Sequence, residues 1–145
     1  MLMETKERSL NVLLIEDDEV DVMNVRRAFK KSTVKNTLHV AGNGLEALSL
    51  LRHEEEQSVP DNRLLILLDL NMPKMGGIEF LNALRDDCEL RQIPVIVLTT
   101  SNEDRDRIEA YNFNVAGYIV KPVTFTKFLG VIRTLNDYWS LCEMP

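Results

Sequence analysis

Leu64–Leu68, five leucine or isoleucine residues in a row, run directly into Asp69 and then into a loop, Leu70–Gly77, that contains Pro73, Gly76 and Gly77. So short and uniformly apolar a run reads as a β-strand covered on both faces, the habit of parallel strands packed between layers of helix. The strand would end by presenting a carboxylate at the mouth of a sheet. A carboxylate withdrawn from water costs several kcal/mol unless something pairs with it, so the rest of the chain must supply what meets Asp69.

The remaining sequence repeats the same theme. Val12–Ile15 is a second apolar run, and it ends in Glu16, Asp17 and Asp18. From Asp18 to about Ser32, Val22, Val25, Ala28 and Phe29 fall at helical spacing, with Asp18 or Glu19 near the positive end of the helix dipole. Leu38–Ala41 is a weaker strand. Asn43-Gly44 then opens a helix on Leu45, Ala47, Leu48 and Leu51 that dissolves into His53–Arg63, where the acidic Glu54–Glu56 reads as a solvated helix end and loop. After the Leu64 strand comes a helix on Ile78, Phe80, Leu81 and Leu84, followed by a loop to Pro94. Val95–Ser101 is a β-branched strand ending in the hydroxyls of Thr99, Thr100 and Ser101. Ser101 or Asn102 can cap the next helix, which carries Ile108, Ala110 and Tyr111. Ala116–Val120 is a fifth strand, ending at Lys121-Pro122. A last helix from about Thr124 to Leu141 places Phe125, Phe128, Leu129, Ile132, Leu135 and Trp139 on or near one face. Five alternations of strand and helix predict a doubly wound α/β sandwich.

Length and charge narrow the function. The chain's 145 residues suit one domain, and no apolar run approaches the roughly 20 residues of a membrane span. The N-terminus has no signal-peptide core, and Cys88 and Cys142 lack CxxC spacing and read as ordinary helix residues, so a reducing cytoplasm is expected. With 23 acids against 17 bases, the net charge of -6 argues against nucleic-acid binding as the main role.

Ligands of open α/β sheets bind beyond the carboxyl ends of the strands, where the strand order reverses. Four of the five expected strands end in polar groups there: Glu16 and Asp17, then Asp69, then Thr99 and Thr100, then Lys121. Crowded carboxylates call for a cation, and oxygen donors without thiolate or imidazole favour Mg²⁺. Lysine offers a point charge to a phosphoryl oxygen and threonine a donor, while Asp69 could attack phosphorus. Asn71 would give the metal its backbone carbonyl. His39 and His53 lie in no phosphotransfer setting.

Glu16-Asp17, Asp69 in DLNMPKMGG, Thr99 in VIVLTTS and Lys121-Pro122 in GYIVKP together resemble the receiver domain of two-component response regulators, over about Asn11–Leu135. The resemblance implies a flavodoxin-like fold, a five-stranded parallel sheet in order 2-1-3-4-5 with five helices, and a single receiver spanning 1–145 with a C-terminal helix extension to about Leu141. It implies that Asp69 is the phosphoacceptor, and that Glu16, Asp17, Asp69 and the Asn71 carbonyl hold Mg²⁺. It further implies that Lys121 contacts phosphate, that Thr99 and Tyr118 are the switch pair, and that a cis peptide bond precedes Pro122. Glu16 stands where the family more often has aspartate, and its extra methylene allows a water-mediated role. Thr100 replaces a residue that is commonly small.

On that resemblance the partner is a sensor histidine kinase, and no attached output domain is expected. The acidic Glu16–Asp21 run, the long loop before the third strand and the DYWSLCEMP ending resemble the small regulators that partner bacterial phytochromes. Phosphorylation would draw Thr99 inward, free space for the Tyr118 ring, and bias the surface of the fourth helix, fifth strand and fifth helix. Tyr118 also reads as half-buried edge-strand packing. Tyr111, Phe113, Tyr138 and Trp139 are candidates for a homodimer surface. Two other outputs stay open: a relay passing phosphate to a histidine phosphotransfer protein, and a Mg²⁺-dependent phosphatase with an aspartate nucleophile. The latter usually has a second acid two residues after the nucleophile, where this chain has Asn71.

Overall fold

The computed structural model of the chain describes residues 9–31, 36–54, 59–122 and 124–145. In order, the elements are β1 Asn11–Ile15, α1 Glu19–Lys31, β2 Thr37–Ala41, α2 Gly44–Leu51, β3 Leu64–Leu68, α3 Gly77–Asp86, β4 Val95–Thr99, α4 Asp104–Asn112, β5 Gly117–Val120 and α5 Phe125–Leu141. All five strands are parallel in the order β2-β1-β3-β4-β5, the flavodoxin-like arrangement expected from the alternation and the family resemblance. Ser32, Glu55 and Glu56, which the sequence placed at element ends, lie outside the described residues.

Strand alternation sorts the core into two layers. Leu13, Ile15, Ile66, Leu68, Val95 and Val97 face α2, α3 and α4, where they meet Ala47, Leu51, Phe80, Leu84 and Ala110. Their neighbours Val12, Leu14, Leu65, Leu67, Ile96 and Leu98 face α1 and α5, and meet Val25, Ala28, Phe128 and Ile132. Because β3 is covered on both sides, all five of its residues are buried, which is why its sequence shows no alternation. No helix among the described residues is long and apolar enough to cross a membrane.

Helix α4 departs from expectation. Of the three apolar residues read on it, Ala110 is buried, whereas Ile108 is 62% and Tyr111 48% exposed. Neither Ser101 nor Asn102 caps it. The N-cap is Glu103 without a side-chain bond, and the Ser101 hydroxyl instead donates to Asp106 Oδ2 at 2.5 Å, in the first turn of the helix. Neither cysteine is helical: Cys88 is exposed in the turn after α3, and Cys142 is the C-cap of α5. Phe113 packs into one core layer and Trp139 into the other, leaving Tyr111 and Tyr138 as the exposed members of that aromatic set.

Candidate functional site

Register alone brings the strand ends together. Ile15 is level with Ala41 on one side and Leu68 on the other, Leu68 is level with Val97, and Thr99 with Val120. The ladder continues one residue past these ends: Glu16 N–H donates to Ala41 O at 3.0 Å, Asp69 N–H to Ile15 O at 3.1 Å, and Lys121 N–H to Thr99 O at 2.8 Å. Glu16, Asp69, Thr99 and Lys121 are thus held by backbone bonds before their side chains meet.

Asp69 is 7% exposed and Glu16 3%. The Thr99 hydroxyl donates to Asp69 Oδ1 at 2.7 Å, and the Asn71 N–H approaches the same oxygen at 3.4 Å. Lys121 Nζ lies 4.0 Å from Asp69 Oδ2. Its short bonds go elsewhere, to Glu16 Oε1 and, at 2.6 Å, to Asp21 Oδ2. Burial pushes the Glu16 carboxyl up to about 7; Lys121 beside it opposes the rise, and Asp69 adds to it. Burial works to lower the Lys121 pKa, but Asp21 and Glu16 outweigh it and hold the ammonium above its ordinary value.

Carboxylate oxygens of Glu16, Asp17 and Asp69 all lie within 4.8 Å of one another, with Asp17 exposed at the rim. Three hard oxygen donors, at least one facing water, fit a divalent cation such as Mg²⁺ or Mn²⁺ that keeps some of its own waters. The donor set offers no thiolate or imidazole.

Asp21 is the residue that sequence reasoning passed over. It belongs to the acid-rich run after β1 and had no assigned role. Asp18 explains its position: its Oδ1 accepts the N–H groups of Val20 at 2.8 Å and Asp21 at 3.2 Å, so it caps α1 and turns the first helical residues back over the sheet edge. An acid four residues after Asp17, in the first turn of a helix, was the available signal.

One expectation changes. Among the described residues there is no cis peptide bond, so Lys121–Pro122 is trans where the resemblance implied cis. Trans is the isomer an X–Pro amide favours by about 0.5–1 kcal/mol. The Thr99 hydroxyl is directed at Asp69 Oδ1. A buried hydroxyl must bond somewhere, and the carboxylate is the acceptor in reach. Tyr118 is half-buried and its hydroxyl donates to Ser101 O at 3.0 Å.

The response regulator receiver domain profile matches residues 12–133 of this chain. The chain belongs to the response regulator receiver family. This receiver is 34% identical to the response regulator Rcp1 of Synechocystis over 128 residues, which cover 88% of this chain and 87% of the relative. Among solved structures it is similar to the phosphorylated cyanobacterial phytochrome response regulator RcpA, with a TM-score of 0.85 and 34% identity over 94% of this chain and 99% of that one. The Mn²⁺-bound form of Rcp1 superposes with a TM-score of 0.83 and 33% identity over the same shares. That relative was crystallised with a divalent ion, in keeping with the acidic triad of this receiver.

Proposed function

We propose that this receiver, a single unit with its core over about residues 11–135, takes a phosphoryl group from the phosphohistidine of a sensor histidine kinase onto Asp69. The observation that carries the reading is the meeting of Thr99 and Lys121 on one buried aspartate, beside the Glu16, Asp17 and Asp69 oxygens. Asp69 Oδ1 carries the Thr99 hydroxyl and the Asn71 amide. Oδ2 faces Lys121 and is the oxygen we assign to attack. A P–O bond forms there as the P–N bond to the donor imidazole breaks, and the imidazole leaves with that electron pair. Thr99 and Lys121 would meet phosphoryl oxygens as charge builds on them. Glu16, Asp17, Asp69 and the Asn71 carbonyl would hold Mg²⁺, which when bound neutralises phosphoryl charge.

The output would be a change at the surface of α4, β5 and α5. Three successive hydrogen bonds lead from the site toward it: Thr99 Oγ1–H to Asp69 Oδ1, Ser101 N–H to Thr99 Oγ1 at 3.3 Å, and Tyr118 O–H to Ser101 O. Any event that reseats Thr99 disturbs the acceptor that Tyr118 uses. The names of the relatives support a phytochrome as the partner kinase.

Intact mass after incubation with acetyl phosphate tests the chemistry. One added phosphoryl group that requires both Mg²⁺ and Asp69 is expected. No increment under conditions where Mg²⁺ binds would overturn the acceptor role. Transfer of the label onward to a histidine-bearing domain would make the chain a relay instead of a binding switch.

A further inference from the structure

We propose that Gly44, the first residue of α2, is a positioning residue for the acidic site, acting through Met75; the inference rests on the metal-assisted reading of that site given above. A Cβ built on Gly44 would stand 2.8 Å from Met75 Cγ, 2.9 Å from its Sδ and 3.0 Å from its carbonyl oxygen. The loop from Asp69 to α3 is therefore seated directly on the N-terminus of α2, with the Met75 side chain packed against the core layer beneath.

That seat restrains an unusual backbone. Lys74 and Met75 are consecutive non-glycine residues with φ of 50° and 70°, in the left-handed region that side chains disfavour. Such a conformation persists where the surroundings over-determine it. At its far end the loop is pinned against Gly77, where a Cβ would stand 2.6 Å from Leu70 Cα and 2.9 Å from Asp69 O. In between, the loop carries Asn71, whose carbonyl is assigned to the metal.

Nor is the α2 N-terminus free to give way. Asn43 Oδ1 accepts Glu46 N–H at 2.9 Å, and Glu46 Oε2 accepts Gly42 N–H at 3.1 Å. Two residues before Asn43, Ala41 O accepts the Glu16 N–H. The turn from Ala41 to Glu46 thus touches both halves of the site: Glu16 by a hydrogen bond, and the Asn71 loop by the contact of Gly44 with Met75. Its function is to set the spacing between them.

Alanine at position 44 separates positioning from mere structure. Gly44 has no positive φ, so what alanine adds there is the clash with Met75; a purely structural role predicts a lower melting temperature with Mn²⁺ affinity and labelling per folded molecule unchanged. Positioning predicts that Gly44→Ala weakens binding of Mn²⁺ roughly tenfold and slows acetyl phosphate labelling in step. Removing the obstructing side chain in the Gly44→Ala/Met75→Ala double variant should then recover affinity to within about threefold of Met75→Ala alone, as expected of directly coupled residues. The experiment is Mn²⁺ titration of the full chain by electron paramagnetic resonance, with melting curves and labelling on the same samples. Wild-type affinity and labelling in Gly44→Ala, or a double variant that recovers nothing, would overturn the inference while leaving the acceptor role standing. A wild-type chain that neither binds Mn²⁺ nor takes up label would instead overturn the acceptor reading, and this inference with it.

Discussion

Lys121 Nζ donates to Asp21 Oδ2 at 2.6 Å, across 100 residues of sequence, and stands 4.0 Å from Asp69 Oδ2, the carboxylate it is expected to serve. Its other short bond, to Glu16, makes it the shared countercharge of Glu16, Asp21 and Asp69.

Removing that countercharge should therefore destabilise the fold in a pH-dependent way. Lys121→Met leaves Glu16 buried without its cation, but Glu16 can take up a proton instead. The variant is expected to lose about 1–3 kcal/mol at pH about 8 and clearly less near pH 6. Asp21 is partly exposed, so Asp21→Asn should cost under about 1 kcal/mol. Urea unfolding at the two pH values checks both, and equal losses for the two variants would contradict the burial argument.

Glu16 also links metal binding to protons. Its folded pKa of about 7 lies above the ordinary value of 4.5, so the folded chain holds a proton that the unfolded chain releases between those values. The group stabilises the metal-free fold fully below about pH 4.5, and this contribution is lost as the pH rises through about 7. A divalent cation needs the ionised carboxylate, so its affinity should increase from about pH 6 to pH 8, with a proton released on binding near neutrality. Calorimetry in two buffers of different ionisation enthalpy measures that proton. An affinity independent of pH would count against the raised carboxyl.

Asp69→Asn should abolish phosphoryl uptake and raise the melting temperature of the metal-free protein. The amide oxygen can still accept the Thr99 hydroxyl, and one negative charge leaves a cluster in which Asp69 helps push Glu16 upward. A melting temperature below wild type without Mg²⁺ would contradict the crowding.

Arg85 serves stability at the other end of the sheet. Its guanidinium donates to the carbonyls of Phe113 at 2.7 Å, Arg91 at 2.7 Å, Ile93 at 2.8 Å and Asn114 at 3.2 Å, tying the end of α3 to the turns before β4 and β5. Arg85→Ala should cost about 2–4 kcal/mol, because those oxygens lose charge-assisted donors together. Labelling per folded molecule should match wild type. A variant as stable as wild type, or one that folds but labels slowly, would refute this division of labour.

The sequence by itself determined the layers, the sheet and most of the site. Burial on both faces leaves a continuous apolar run such as Leu64–Leu68, and a polar residue at the end of four of the five runs marks the sheet edge, so Glu16, Asp69, Thr99 and Lys121 were legible from local pattern alone. Only the tertiary structure decided that Lys121 pairs with Asp21, that Gly44 seats Met75, and that α4 rests on Ala110 while Ile108 faces water. Periodicity is a property of neighbouring residues, whereas these contacts depend on where each helix is rotated and how each loop bends. The left-handed Lys74 and Met75 show the limit, since nothing in their side chains announces a backbone that only the surrounding packing enforces.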